Sequence, residues 1–127
     1  GSNREIRNGM AVLDGKNFIG RIVDVNFFSS RVLLVSDLNS KVPVVIEPSG
    51  NHAILSGRGA EKPTLQYLPE NHSVKDGDKI YTSGKEGIFD SGIPIGEVKL
   101  NTEQVTVSLF SDLNQITFVN INLGKDK

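Results

Sequence analysis

Val105-Thr106-Val107-Ser108-Leu109 carries the alternation that decides the fold. Its odd positions are apolar and its even ones bear hydroxyls, a period of two that turns one face to a core and the other to water. Three of the five residues are β-branched, which suits a strand better than a helix. The longer stretch from Glu97 to Leu123 lacks Gly and Pro, so a helix is worth testing there. The two-residue period leaves room for one helical turn at most, at Ser111-Asp112-Leu113-Asn114. Further on, Ile116 and Phe118 fall on one face and Val119, Ile121 and Leu123 on the other, a parity change that a bulge or a twist between two packing environments would explain.

Upstream the same texture recurs about every ten residues. Strands are expected near Met10–Leu13, Ile19–Val25, Val32–Val35, Val42–Ile46, Ala53–Ser56, Thr64–Leu68, Lys79–Thr82 and Ile95–Leu100, and again at Ile116–Ile121. Gly, Asn, Asp or Pro separates them, the pattern of an all-β barrel or sandwich. Pro43 removes a ladder donor and points to a strand start or edge. Gly57 to Lys62, followed by Pro63, reads as a linker between two sets of about five strands. Ser36-Asp37-Leu38-Asn39 is echoed by Ser111-Asp112-Leu113-Asn114. Two similar turns, with Asp and Asn satisfying local backbone donors, account for the echo, and a duplicated half-barrel is the alternative.

Composition narrows the function. The 127 residues carry a net charge of −1, with no cluster of Lys or Arg, so a nucleic-acid footprint is missing. With 37% apolar and 23% charged residues the chain should fold rather than stay disordered. Zero cysteines exclude disulfides and thiolate zinc sites. No apolar run reaches membrane-helix length and no signal peptide is seen, so any targeting signal would lie outside this sequence. Gly1-Ser2 reads equally as native sequence or as a cloning scar.

Candidate chemistry is sparse. Asp90-Ser91-Gly92-Ile93-Pro94 imitates the nucleophile segment of chymotrypsin-like proteases, and His52 with Asp76 or Asp78 completes the His-Asp-Ser order. A hydrolase using His52 and Ser91 is therefore the alternative function. Against it, Phe89 occupies the place of an oxyanion-hole glycine, and the chain is too short for two complete protease barrels. His52 and His72 lack carboxylates at ligand spacing, so no metal is expected. Gly57-Arg58-Gly59 lacks the Lys and helix of a phosphate loop. Glu61, Glu70, Asp76 and Asp78 are loop carboxylates with nothing to pair them across a cleft. No cofactor is expected.

Several segments together resemble the MreC family of rod-shape-determining proteins. They are Gly20-Arg21-Ile22-Val23-Asp24-Val25, Ser29 to Asp37 (Ser-Ser-Arg-Val-Leu-Leu-Val-Ser-Asp), Leu55-Ser56-Gly57-Arg58-Gly59 and Leu65-Gln66-Tyr67-Leu68-Pro69. The most specific is Gly77-Asp78-Lys79-Ile80-Tyr81-Thr82-Ser83-Gly84, followed by Gly87-Ile88-Phe89 and Gly92 to Val98. Asp90 departs from the family's Pro after Phe89. The resemblance implies two small antiparallel β-barrels, set here at residues 1–60 and 61–127, or with the last strands crossing back to the first barrel. It implies a non-catalytic scaffold on the extracytoplasmic side of the inner membrane, anchored through a segment absent from this sequence. The implied partners are a class B penicillin-binding transpeptidase, MreB, MreD and RodA of the rod complex, and further copies of itself.

A contact module needs exposed apolar anchors. The large aromatics are Phe27, Phe28, Tyr67, Tyr81, Phe89 and Phe110. Phe27, Phe28, Tyr67 and Phe89 are the candidates, with Phe27-Phe28 first because adjacent strand residues cannot both face one core. Gly84, Gly87, Gly92 and Gly96 are expected to need positive φ or close strand approach.

Overall fold

The computed structural model describes residues 9–25, 30–85, 90–115 and 120–121. Among the described residues ten strands carry the fold. They are β1 (Ala11–Asp14), β2 (Asn17–Val25), β3 (Ser30–Leu34), β4 (Lys41–Glu47), β5 (Asn51–Arg58), β6 (Glu61–Gln66), β7 (Lys79–Thr82), β8 (Pro94–Leu100), β9 (Val105–Leu109) and β10 (Asn120–Ile121). One 3₁₀ turn at Leu113–Gln115 follows β9, where the sequence left room for a helical turn. Strands β4 to β9 form a closed antiparallel barrel in the order β4-β5-β6-β9-β8-β7. The remaining strands form a second sheet in the order β10-β1-β2-β3.

The barrel core follows the period of two. In β4, Val42, Val44 and Ile46 are buried while Lys41 and Glu47 are exposed. In β9, Val107 is buried, and Val105 and Leu109 pack on the same core. The hydroxyl face of β9 is less wet than the alternation suggests. Thr106 is buried where β9 crosses β6, and its Oγ1–H donates to the Lys99 carbonyl at 2.9 Å.

The second sheet is buried on both faces in its first two strands. Ala11 and Phe18 join the barrel core, whereas Val12, Ile19 and Ile22 form a separate cluster. This explains why apolar residues stand side by side at Ala11-Val12-Leu13 in β1 and Phe18-Ile19 in β2: neighbours along the strand meet different cores.

Three expectations change. Gly57 to Lys62 is no linker between barrels, and residue 60 does not divide two sets of strands. It is the hairpin joining β5 to β6 inside one barrel. The change of sheet falls between β3 and β4, and β10 returns to pair with β1, Val12 opposite Ile121. Glycine and charge marked a reversal, and a hairpin reverses the chain as well as a linker does. Pro43 does not put β4 on an edge, since β4 pairs with both β5 and β7. The β7 register begins one residue on, at Val44 opposite Thr82, and the Pro43 carbonyl accepts the Ser83 N–H at 3.2 Å.

The crossover between sheets is held by β5. The Gly57 N–H donates to the Ser40 carbonyl at 3.1 Å, and the Gly59 N–H to the Ser36 carbonyl at 2.7 Å. An added Cβ at Gly57 would overlap the Asp37 carbonyl oxygen and lie 2.7 Å from the Ser36 carbonyl carbon. Backbone meets backbone there, so no flexible side chain can yield. Gly57→Ala should therefore destabilise the chain by at least about 2 kcal/mol in urea unfolding. A loss within error would show that the crossover is free to shift.

Candidate functional site

Tyr67 follows the end of β6. The β5–β6 ladder stops at Ile54 opposite Gln66, and Leu68 turns inward onto the barrel core. Tyr67 takes up the reversal with a φ of 69°, a left-handed conformation that non-glycine residues seldom adopt. Its ring is swung outward and is 81% exposed. Beside it lies a shallow groove of about 190 Å³, with Pro43, Ala53 and Ile54 as apolar lining and His52, Ser83 and Lys85 as polar lining. An exposed aromatic on strained backbone beside an apolar groove can seat a partner's side chain.

Phe27, Phe28, Phe89 and Gly87 lie outside the described residues. Tyr81 is half-buried in β7, between Val45 and Pro94. Leu38 (69% exposed) and Phe110 (41%) are exposed apolar side chains that were not among the candidates. Leu38 sits in a turn, where strand alternation carries no information about facing.

The repeated Ser-Asp-Leu-Asn segments are twin turns. Asp37 Oδ1 accepts the Asn39 N–H at 2.8 Å, and Asp112 Oδ1 accepts the Asn114 N–H at 3.0 Å. Ser36 and residues 111–114 line one cleft of about 440 Å³. The leucines differ: Leu113 packs against both core clusters and Leu38 faces solvent.

The protease-like string is a turn built by Thr82. The fully buried Thr82 Oγ1–H donates to the Asp90 carbonyl at 2.8 Å and accepts the Ile93 N–H at 2.9 Å. Gly84, at φ 74°, lies against Ser91, where a Cβ would come within 2.8 Å of the Ser91 Cβ. Gly92 also has positive φ, and a Cβ on Gly96 would overlap the Ser108 carbonyl oxygen across the β8–β9 ladder. Asp76 Oδ1 accepts the Leu100 N–H at 2.9 Å, and Asp78 Oδ2 the Lys75 N–H at 2.8 Å. Both carboxylates sit at the end of the β7–β8 hairpin remote from Ser91, so no triad forms with His52. His72 Nδ1 accepts the Val74 N–H at 3.1 Å, a local turn contact. Among the described residues no group of three His, Cys, Asp or Glu is placed to hold a metal, and no helix is long and apolar enough to cross a membrane.

The family model described as rod shape-determining protein MreC, barrel core, matches residues 1–122. The chain belongs to the MreC family. It is 40% identical over 127 residues to the cell shape-determining protein MreC of Caulobacter vibrioides, covering 99% of this chain and 37% of that protein. With the MreC of Cereibacter sphaeroides it shares 34% identity over 122 residues, covering 95% and 41%. It thus spans about two fifths of the length of these curated relatives. A solved MreC structure superposes with a TM-score of 0.81 at 29% identity, covering 95% of this chain and 73% of that one. Another, at 25% identity and a TM-score of 0.72 over 88% of this chain and 75% of that one, is described as the major periplasmic domain from the cell shape-determining filament MreC. A third is a complex between penicillin-binding protein PBP2 and MreC from Helicobacter pylori. Its TM-score of 0.75 at 17% identity, over 92% of this chain and 80% of that one, is a likeness of fold. These relatives are named for determining cell shape rather than for a reaction, in keeping with a triad that is not assembled.

Thr82 and Ser91 should therefore separate in mutagenesis. Thr82→Val should cost about 1–3 kcal/mol, because it leaves the Ile93 N–H without its acceptor in a buried turn. Ser91→Ala should stay within about 0.5 kcal/mol. Equal losses in thermal unfolding would contradict this division of labour.

Proposed function

We propose that this MreC chain is a non-catalytic contact module acting on the extracytoplasmic side of the inner membrane. In this reading the whole protein is a single-pass scaffold of the rod complex, together with MreB, MreD and RodA. It binds and activates a class B penicillin-binding transpeptidase, self-associates, and so organises peptidoglycan synthesis.

The carrying observation is Tyr67. It combines an 81% exposed ring with a φ of 69°. A backbone strained by roughly 1 kcal/mol for an outward ring fits a surface kept for contact better than one kept for stability. The Helicobacter pylori complex supports a penicillin-binding protein as partner, and the periplasmic filament domain supports both compartment and self-association. Phe27, Phe28 and Phe89 remain proposed anchors of the same kind.

Tyr67→Gly isolates the ring from the fold, because glycine accepts positive φ without strain. The variant should keep its stability within about 1 kcal/mol of the parent. It should bind a class B transpeptidase ectodomain more weakly by about 2 kcal/mol, or some thirtyfold in Kd by calorimetry. Unchanged affinity in a folded Tyr67→Gly protein would remove Tyr67 from the interface.

A further inference from the structure

Among the described residues Tyr67 is the most exposed of the large apolar side chains, standing beside Pro43 of β4 and Ile54 of β5. Two other exposed apolar side chains, Leu38 and Phe110, belong to a different place, a cleft of about 440 Å³. Phe110 lines that cleft together with Gly59 and Ala60 of the β5–β6 hairpin, both of them exposed. Leu38 stands next to Gly59, where an added Cβ would lie 3.9 Å from the Leu38 Cδ2. β6 separates the two features. Glu61 and Lys62 at its start border the cleft, and Tyr67 follows its end. The strand covers roughly 17 Å at about 3.4 Å per residue, so the Tyr67 ring cannot reach back to the cleft of its own chain.

The cleft suits a tyrosine. Its volume lies toward the low end of the roughly 300–1,000 Å³ of small-molecule clefts, room for one large side chain. A tyrosine ring needs apolar walls, and its hydroxyl needs a hydrogen-bond partner once buried. Ala60, Leu109 and Phe110 are apolar lining. Asp112 is the acceptor: its Oδ1 takes the Asn114 N–H at 3.0 Å, and among the described residues no donor meets Oδ2. The charges lining the cleft are of both signs, Glu61 and Asp112 against Lys62, and Glu61 is engaged by Arg58 at 3.4 Å. Selection there rests on shape and on the phenol, not on net charge.

We propose that Tyr67 of one copy inserts into this cleft on a second copy. The inference rests on the reading that the chain self-associates, and it names the contact. The projecting ring and the receiving cleft share no residue, so the contact is heterologous. A copy that accepts a ring still presents its own, and the contact repeats along a row instead of closing a pair. One aromatic side chain buries about 150–250 Å², well short of the roughly 800 Å² per partner of a standard interface. The contact between isolated domains is therefore weak and forms at high local concentration.

The test is sedimentation equilibrium of the chain at concentrations up to about 1 mM. The average mass of the parent should rise with concentration. Tyr67→Gly removes the ring, and Ala60→Arg sets a bulky cation at an exposed turn position on the cleft wall. Each should weaken association at least about tenfold, and Phe110→Ser should do the same as a second cleft variant. Circular dichroism checks that each variant is folded. An equimolar mixture of Tyr67→Gly and Ala60→Arg keeps one intact ring and one intact cleft per pair. It should form dimers and stop there, which a contact between identical patches would not do. A parent that stays monomeric overturns the inference together with the self-association it rests on. A parent that associates overturns the inference alone if Tyr67→Gly or both cleft variants match it, or if the mixture stays monomeric or grows past dimers.

Discussion

The structure depends on one close approach, that of Gly57 to the turn at residues 36–40. Here β5 of the barrel touches the chain on its way from the second sheet, and there is no space for a side chain between them. The Gly57 and Gly59 N–H groups satisfy the Ser40 and Ser36 carbonyls. Ser40, 2% exposed, is a polar residue in a tight place, and its carbonyl needs that partner. Fixing the turn sets where β4 begins. It also sets which face of β1 and β2 is presented to the barrel, because Val35 binds back to the Ile19 carbonyl at 2.8 Å. Ala11 and Phe18 then fall into the barrel core.

Strand positions were largely legible in the sequence, because hydrophobic periodicity and β-branching report local backbone and burial together. Lys79–Thr82 and Val105–Leu109 coincide with β7 and β9, and the other strands upstream of residue 101 differ by a few residues at their ends, while the expected strand at Ile116–Ile121 lies outside the described residues except for Asn120–Ile121 in β10. Connectivity was not legible in the same way. Gly57-Arg58-Gly59 has the composition of a linker and of a hairpin alike, and only its long-range contact with Asp37 distinguishes them. Pro43 was misread because a proline constrains one edge of one residue, and β4 extends past it.

The candidate site was half legible. Tyr67 stood out as a large aromatic, but its positive φ comes from the inward turn of Leu68, a tertiary demand invisible in a string of letters. Thr82 was quoted only as part of a motif. Its hydroxyl organises the turn at residues 90–93, and nothing local distinguishes it from a surface threonine. The His-Asp-Ser order shows the converse. Order along a chain was present, while the two aspartates serve backbone donors elsewhere.

The twin turns have a topological consequence. Lys41 to Leu109 is one uninterrupted stretch holding every strand of the barrel, and the chain arrives and departs through neighbouring turns that border one cleft. The pairing of Val12 with Ile121 spans roughly a hundred residues, a loop whose closure is entropically expensive in an unfolded chain. Once the barrel exists, its two ends already lie side by side. The remaining closure involves only the short segments beyond Ser36 and Asn114, so the barrel acts as a template for the sheet that frames it.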